Sequence, residues 1–572
     1  MPRFGRRPLR RSPTCLTRRS SACPPHPAAR TRRCGTSGWR RCPTRTPHRG
    51  RRRRRPTGAA VAEVERDLTA ARDQAAETLG EEAADILTVQ LLLAGDDALL
   101  GAALDRVATG VPAGRAWRDA VADVVASYQQ VDDAYQRARA EDVADVGRRV
   151  VAALTGVSPR RSVAGPGIVV ADALGPADAA ALDRELVRGV LTATGAPTGH
   201  AAILARTLGI PAVVGAGESV LRLDEEQPVL LDGDTGAVYV QPPRALREEY
   251  DRRHAAAQQR RSAALRVAGE PAVTTDGVHV AVAANVGSVA DAAAAAGQGA
   301  DGVGLLRTEF LFLDRDEPPT EDEQAETYAA IAAEFAGAPV TVRTLDVGAD
   351  KPAPYLAQPR EENPFLGVRG LRLGLRHADV LGTQLRAVVR AAAAHRMQVM
   401  FPMVTTLDEL QRAVDLLDRA RADVGVDVQL PVGVMVEVPA VALLADAFAA
   451  RVDFLSVGTN DLTQYVLAAD RGNADLAELA DACQPAVLRL VRQAAQAAAG
   501  HGRQLAVCGE LAADPAVAGL LLGLGVTELS VTPVAVPEVK QAVRATSYAE
   551  AQQLAERALA ATSAADVRAL LA

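Results

Sequence analysis

The residues most suited to chemistry fall in two groups. Thr198-Gly199-His200 sits at a glycine-rich turn, and Ala-Ala-Ile-Leu-Ala-Arg-Thr-Leu after it reads as a helix stopped by Gly209. A histidine in the first helical turn feels the positive helix end, which keeps the imidazole neutral and nucleophilic, while the unpaired N–H groups stabilise a phosphate placed on it. The second group is Arg307, Arg343, Glu437, Asn460, Asp461, Arg471 and Cys508, all at or near the ends of apolar, β-rich runs. Glu437 and Asp461 end adjacent runs, and two such carboxylates suit one Mg2+ that keeps several waters and bridges substrate oxygens. Arginine inside a strand is costly unless it meets an anion. Three arginines converging on one mouth imply a multiply charged substrate, such as a phosphate plus a carboxylate. Cys508 is either a small core residue or, facing a polar mouth, an acid or nucleophile. Ordinary salt bridges are the other reading of the carboxylates and arginines.

These residues need elements to position them. The last 300 residues hold eight β-rich runs separated by helical segments: 279–286, 303–306, 341–345, 399–403, 433–436, 454–457, 505–508 and 528–531. This alternation predicts a (β/α)8 barrel over 268–572, with chemistry at the C-terminal ends of its strands. Asn285 and Asp346 join the polar residues expected there. Residues 158–242 alternate short β-rich runs (168–170, 212–214, 229–231, 237–240) with helical stretches, which predicts a compact α/β domain carrying His200. Residues 58–157 are helical throughout, with Leu68, Ala75 and Leu79 on one stripe and Ile86, Val89, Leu92 and Leu93 at three- and four-residue steps. Short breaks between them predict an antiparallel bundle. The charged stretch 243–267 suits a helical linker.

Composition sets the outer bounds. A chain of 572 residues with 48% hydrophobic residues should hold several cores. It has no uninterrupted run of 18 apolar residues, so no membrane insertion is expected. Lys351 and Lys540 are its only lysines. Net charge is −6, yet residues 1–57 contain 19 arginines and no acid, leaving −25 on the rest. This head lacks periodicity and predicts a disordered or artefactual segment, such as a misread frame of a GC-rich gene, rather than a nucleic-acid-binding arm or a transit peptide. Only Cys483 and Cys508 lie outside it. Two distant cysteines indicate a reducing compartment, hence the cytoplasm.

Six motifs stand in order: Gly-Ala-Pro-Thr-Gly-His200, Gly-Leu-Leu-Arg307-Thr-Glu-Phe-Leu-Phe, Arg343-Thr-Leu-Asp-Val-Gly-Ala-Asp-Lys, Glu-Glu-Asn-Pro-Phe-Leu-Gly, Glu437-Val-Pro-Ala and Ser-Val-Gly-Thr-Asn460-Asp461-Leu-Thr-Gln-Tyr. Together they resemble enzyme I of the bacterial phosphoenolpyruvate:sugar phosphotransferase system, over about residues 59–572. The resemblance implies that His200 takes the phosphoryl group of phosphoenolpyruvate and passes it to the phosphocarrier protein HPr, releasing pyruvate, as the first step of sugar uptake. It implies that Arg307, Arg343, Asn460, Asp461 and Arg471 bind phosphoenolpyruvate, that Glu437 and Asp461 hold Mg2+, and that Cys508 donates a proton. The fold implied is a helical HPr-binding bundle, with Arg139 near its interface, inserted in an α/β phosphohistidine domain, then a TIM barrel that forms a homodimer.

That family opens with a strand carrying a Ser-Pro-Gly type motif. The arginine-rich head stands in its place, so the α/β domain is expected to lack an edge element. An inactive regulatory or scaffold homologue is the alternative this leaves open. Pyruvate phosphate dikinase and phosphoenolpyruvate synthase share the histidine motif and barrel, but need a large nucleotide-binding domain that about 140 helical residues cannot supply.

Overall fold

The computed structural model describes residues 29–33, 57–79, 81–129, 134–156, 165–195, 199–313, 315–348, 353, 355–356, 361–470, 476 and 478–571. The chain forms two compact units, residues 1–257 and 258–572.

In the first unit, five helices follow one another: α1 (Thr57–Leu79), α2 (Glu81–Ala94), α3 (Asp97–Ala108), α4 (Ala113–Gln129) and α5 (Ala134–Thr155). Val61, Val64 and Leu68 from α1 pack with Leu87, Leu99, Trp117, Val121, Val146 and Val150 in one core. Gly147 lets α5 lie close to α4, because a Cβ there would stand 2.7 Å from a Val121 methyl. The face of α2 differs from the expected one. Leu87, Gln90 and Ala94 are buried, whereas Leu92 is 73% exposed. Almost every residue from 86 to 94 is apolar, so periodicity alone does not single out the inner face. The stretch Ile86–Ala108 is apolar enough and long enough to cross a membrane. It is nevertheless two helices of 14 and 12 residues. Asp96 breaks them, its carboxylate capping the Ala98 and Leu99 amides, and each is shorter than the ~20 residues a span requires.

The α/β part of this unit is a six-stranded sheet of order β4-β3-β2-β1-β5-β6. Its strands are β1 (Ala29–Arg33), β2 (Gly167–Ala171), β3 (Val187–Thr192), β4 (Ala212–Val213), β5 (Pro228–Leu231) and β6 (Val238–Val240). β3 was not expected from sequence; its Val-Arg-Gly-Val-Leu-Thr run is nonetheless buried at five of six positions. Short helices α6 (Pro176–Ala180) and α7 (His200–Thr207) lie between strands. One sheet face packs Ile168, Val170, Leu191 and Val229, and the other Val169, Val190, Leu208 and Ile210.

β1 corrects the reading of the arginine-rich head as a segment without structure at residues 29–33 alone, and residues 1–28 and 34–56 lie outside the described residues. Thr31–Arg33 pair in parallel with Ile168–Val170, and Ala29 and Arg30 pair antiparallel with Val229 and Pro228. Nor is the strand an edge element, since it fills the centre of the sheet. Its pairing uses backbone N–H and C=O groups, which any non-proline residue supplies. Arginine and alanine carry no β-pattern, so composition concealed it. The bundle is thus inserted between β1 and β2. Deleting residues 1–55 should therefore open two adjacent strand edges. The expected loss is about 3 kcal/mol, or a fall of about 6–12 °C in the melting of the first unit. Calorimetry should show the second unit's transition unmoved, and an unchanged first transition would show that β1 carries no stability.

Helix α8 (Arg244–Arg266) runs across the boundary between the units. Within the first, the Tyr250 hydroxyl donates to Asp232 at 2.9 Å. Within the second, the fully buried Lys540 donates to the Ala268 carbonyl (3.0 Å) and to Asp301 (2.5 Å). Arg544 donates to the Val267 carbonyl at 2.9 Å, so two cations cover the carbonyls that follow the helix end.

The second unit is a closed barrel. A short strand β7 (Ala272–Val273) pairs antiparallel with β8 (His279–Val286). Parallel strands follow: β9 (Val303–Leu306), β10 (Val340–Arg343), β11 (Met397–Phe401), β12 (Val432–Val436), β13 (Phe454–Val457), β14 (Gln504–Val507) and β15 (Glu528–Val531). β15 pairs back onto β8, Leu529 opposite Val282 and Val531 opposite Ala284, which closes the eight-stranded cylinder. Leu305, Met400, Met435, Phe454 and Cys508 form a cluster of their own, apart from the larger core that packs strands and helices together. All eight strands coincide with the expected runs to within two residues. The (β/α)8 expectation holds.

Candidate active site

Polar residues crowd the C-terminal ends of the barrel strands. Arg343 is the last residue of β10, its side chain 13% exposed, paired with Glu309 (3.0 Å) and Asp346 (3.3 Å). Glu309 also accepts from the Asp346 amide at 3.0 Å, which ties the β9 end to the β10 end. Beneath them the buried Gln384 donates to the Thr308 hydroxyl (3.1 Å) and accepts from the Leu345 amide (2.9 Å). Arg369 bridges two carboxylates, donating to Asp346 at 3.0 and 3.3 Å and to Asp461 at 3.0 Å. Sequence reasoning named neither Arg369 nor Glu309 as a site residue. Glu309 lies inside the Arg307 motif, whereas Arg369 stands two residues past the Glu-Glu-Asn-Pro-Phe-Leu-Gly motif, where no strand ends.

Glu437 follows β12 and is buried, its Oε1 accepting from the Met403 amide at 2.6 Å. Met403 holds a left-handed φ of +54°, a sparsely populated conformation for a side-chain-bearing residue. Gly370, also at φ +54°, makes room for it, since a Cβ there would stand 2.9 Å from the Met403 side chain. Gly458 is needed for the same reason beside Glu437: a Cβ would approach its Oε2 to 3.0 Å. Asp461 lies in the first turn of the helix Thr459–Leu467 and is buried. Asn460, next to it, exchanges hydrogen bonds with Glu510 through its amide nitrogen (3.3 Å) and its oxygen (3.2 Å).

Cys508 stands one residue past β14, almost wholly buried, its thiol 3.5 Å from the Val457 carbonyl. Asn285 donates to the Cys508 carbonyl at 3.0 Å and accepts from Ser530 at 2.6 Å, fixing the chain there. Burial, with Glu437 adding to it, pushes the thiol up to about 11 against the opposing Arg343 and Arg307 charges. The sulfur therefore keeps its proton at neutral pH. Arg307, one residue past β9, is exposed and has no ion-pair partner among the described residues. The buried Arg343 Nε and Thr459 hydroxyl also have no hydrogen-bond partner among the described residues. Such buried donors are costly unless an acceptor arrives, and with Arg307 they suit an anion.

The same mouth suits a divalent cation. Glu309, Asp346, Glu437 and Asp461 outnumber the buried Arg343 and Arg369. Burial first, then the Asp461 and Asp346 charges, pushes Glu437 up to about 8 despite Arg369 and Arg343. Among the described residues no group of three or more His, Cys, Asp or Glu forms a ready cage. A hard cation held by two carboxylates fills its remaining positions with water and substrate oxygens. The pH dependence follows from the sign of the Glu437 shift. The folded state keeps a proton between about pH 4.5 and 8 that the unfolded state has lost, so this group's contribution to stability falls across that interval. A cation held at Glu437 would replace that proton. Divalent-ion affinity should therefore climb as pH rises from 6 toward 8 and level off beyond, in titrations at fixed ionic strength; a Glu437→Gln variant should lose the slope.

Arg471, and Asp350-Lys351 at the end of the Arg343 motif, lie outside the described residues. His200 begins α7 in the other unit, after Gly199 in extended conformation (φ −69°, ψ 152°). Its backbone position is as the sequence suggests; its side chain, and that of Arg139, fall outside what is described. α7 is fixed by the fully buried Leu204, which packs among the bundle residues. It ends at Gly209, φ +67°. Nearby, Asp145 of α5 accepts from Gln90, Arg148 and Arg149, each at 3.0 Å, and Arg149 also reaches Asp178 of α6 at 2.8 Å, which pins bundle to sheet.

Comparison with known proteins agrees with this architecture. Residues 261–548 match the PEP-utilising enzyme, PEP-binding domain; residues 163–236 match the mobile domain and residues 47–139 the N-terminal domain of the same enzymes. A phosphoenolpyruvate-protein phosphotransferase of Haloferax volcanii is 44% identical over 522 residues, 90% of this chain and 91% of that one. That of Geobacillus stearothermophilus is 39% identical over 517 residues, 89% of each chain. A multiphosphoryl transfer protein of Xanthomonas campestris pv. campestris is 45% identical over 522 residues, which are 89% of this chain but only 62% of that longer protein. A barrel mouth crowded with buried guanidinium and carboxylate groups, a histidine at a helix start in a separate unit, and relatives matched along nearly their whole length place this chain in the phosphoenolpyruvate-protein phosphotransferase family.

Proposed function

We propose that this chain transfers the phosphoryl group of phosphoenolpyruvate to Nε2 or Nδ1 of its own His200 and then to the phosphocarrier HPr, releasing pyruvate. The observation that carries the reading is the barrel mouth, where buried guanidinium groups and an excess of carboxylates meet around a protonated thiol. Arg307, Arg343, Asn460 and Arg471 bind the phosphate and carboxylate of the substrate and orient the phosphorus for in-line attack. Glu437 and Asp461 would hold Mg2+, which neutralises developing charge on the phosphoryl oxygens when bound. The imidazole nitrogen forms the N–P bond as the bridging P–O bond breaks, and the electrons leave on the enolate of pyruvate. The Cys508 thiol gives its proton to the methylene carbon of that enolate, completing pyruvate.

His200 and the barrel belong to different compact units, so delivery and collection of phosphate require the mobile domain to swing, with 243–267 as the hinge. The helical bundle is the surface for HPr, with Arg139 near it, and the working protein is a cytoplasmic homodimer joined through the barrel. Incubating the protein with labelled phosphoenolpyruvate, Mg2+ and HPr tests the reading. Acid-labile phosphate should appear on the chain first and on HPr second, in step with pyruvate. Pyruvate without label on either protein would refute it. Labelling of neither would support the inactive scaffold instead.

A further inference from the structure

Arg369 is held differently from the other arginines of the mouth. It ends the segment 361–369, which carries no strand and only one 3-10 turn, and its guanidinium is gripped entirely by side chains. Asp346 accepts two of its hydrogen bonds and Asp461 a third. The group lies 5.9 Å over the Phe365 ring, whose carbonyl in turn accepts from the Tyr465 hydroxyl at 2.5 Å. The side chain is only 7% exposed. Asp461, one of the two carboxylates assigned above to a divalent cation, is thus already neutralised by a cation of the chain.

We propose that Arg369 is a resident counter-cation that keeps Asp461 closed to a divalent ion until an anionic substrate draws the guanidinium away. The inference rests on the metal reading of Glu437 and Asp461 given above. Its logic is charge conservation at each carboxylate. When Arg369 turns to a phosphate or carboxylate of the substrate, Asp346 keeps Arg343, which lies 3.3 Å from it. Asp461 takes the incoming cation. No buried carboxylate is left alone, the condition that makes such an exchange affordable. Without an anion, the cation must displace a buried, three-point guanidinium. Anion and cation therefore bind synergistically, and Arg369 acts as a positioning residue that enforces the coupling.

Equilibrium titration of the full chain with Mn2+, followed by electron paramagnetic resonance in the absence of phosphoenolpyruvate, reads this directly. Arg369→Gln should bind Mn2+ about tenfold or more tighter than wild type, because one opposing charge is gone. Arg369→Lys, which cannot bridge both carboxylates, should fall between them. Asp461→Asn should abolish the tight site in either background, which locates the ion. Equal or weaker Mn2+ binding by Arg369→Gln, with Asp461→Asn still abolishing it, would overturn the gate and leave the metal reading standing. Absence of any saturable Mn2+ site would overturn both. If the glutamine variant does not fold, the lysine variant decides: affinity about threefold above wild type supports the gate, and equal affinity refutes it.

Discussion

Replacing His200 with alanine should abolish acid-labile phosphate on the chain while leaving phosphoenolpyruvate affinity within about twofold of wild type. Transfer to nitrogen needs the imidazole itself, and no other residue of α7 offers a nucleophile of that kind. The proposed substrate-binding residues Arg307, Arg343 and Asn460 lie in the second compact unit, while His200 starts a helix of the first. A two-unit protein of this kind loses the acceptor without disturbing the donor site. Filter binding of labelled substrate, set beside phosphoprotein gels, separates the two effects. Residual labelling of the variant would move the acceptor elsewhere, and a large loss of binding would mean the histidine is part of the substrate site.

Cys508→Ala should split the reaction in a different way. Exchange of phosphate between His200 and HPr should continue at nearly the wild-type rate, while net pyruvate formation falls by about 10²–10⁴, the usual contribution of a positioned acid. The thiol is suited to that role because burial keeps it protonated, up to about 11. It stands where Asn285 and the Val457 carbonyl hold it at the end of β14. Phosphoryl transfer itself breaks a P–O bond and asks nothing of the sulfur. Only the enolate does, and without a donor it returns to attack the phosphohistidine. Isotope exchange between pyruvate and phosphoenolpyruvate, measured beside HPr phosphorylation, distinguishes the steps. Equal loss in both would make Cys508 a core residue of the cluster it shares with Leu305, Met400, Met435 and Phe454.

The barrel was legible because its signals are local. Apolar β-branched runs of four to eight residues, spaced by helical stretches, recur eight times, and six of them carry a polar residue at or near the end where a TIM barrel places its chemistry. Strand ends drawn from sequence therefore located Arg307, Arg343, Glu437 and Cys508 within one residue of where strands β9, β10, β12 and β14 leave the ladder, and Asp461 four residues past the end of β13. The bundle and the helical linker were legible for the same reason.

What sequence alone could not decide was everything set by partners distant in the chain. β1 has no strand-like composition; it becomes a strand because β2 and β5, more than 130 residues away, offer it open backbone donors and acceptors on both sides. The inner face of α2 was settled by packing against α1 and α5, since its nearly all-apolar run fits more than one stripe. Arg369 gained its place from Asp346, 23 residues before it, and Asp461, 92 after it. The raised carboxyl of Glu437 likewise comes from burial and from neighbours on other strands. Residue types and spacing determined which atoms were available for chemistry. Only the closed barrel decided which charges share a low-dielectric space, because electrostatic energy depends on separation and burial and not on order along the chain.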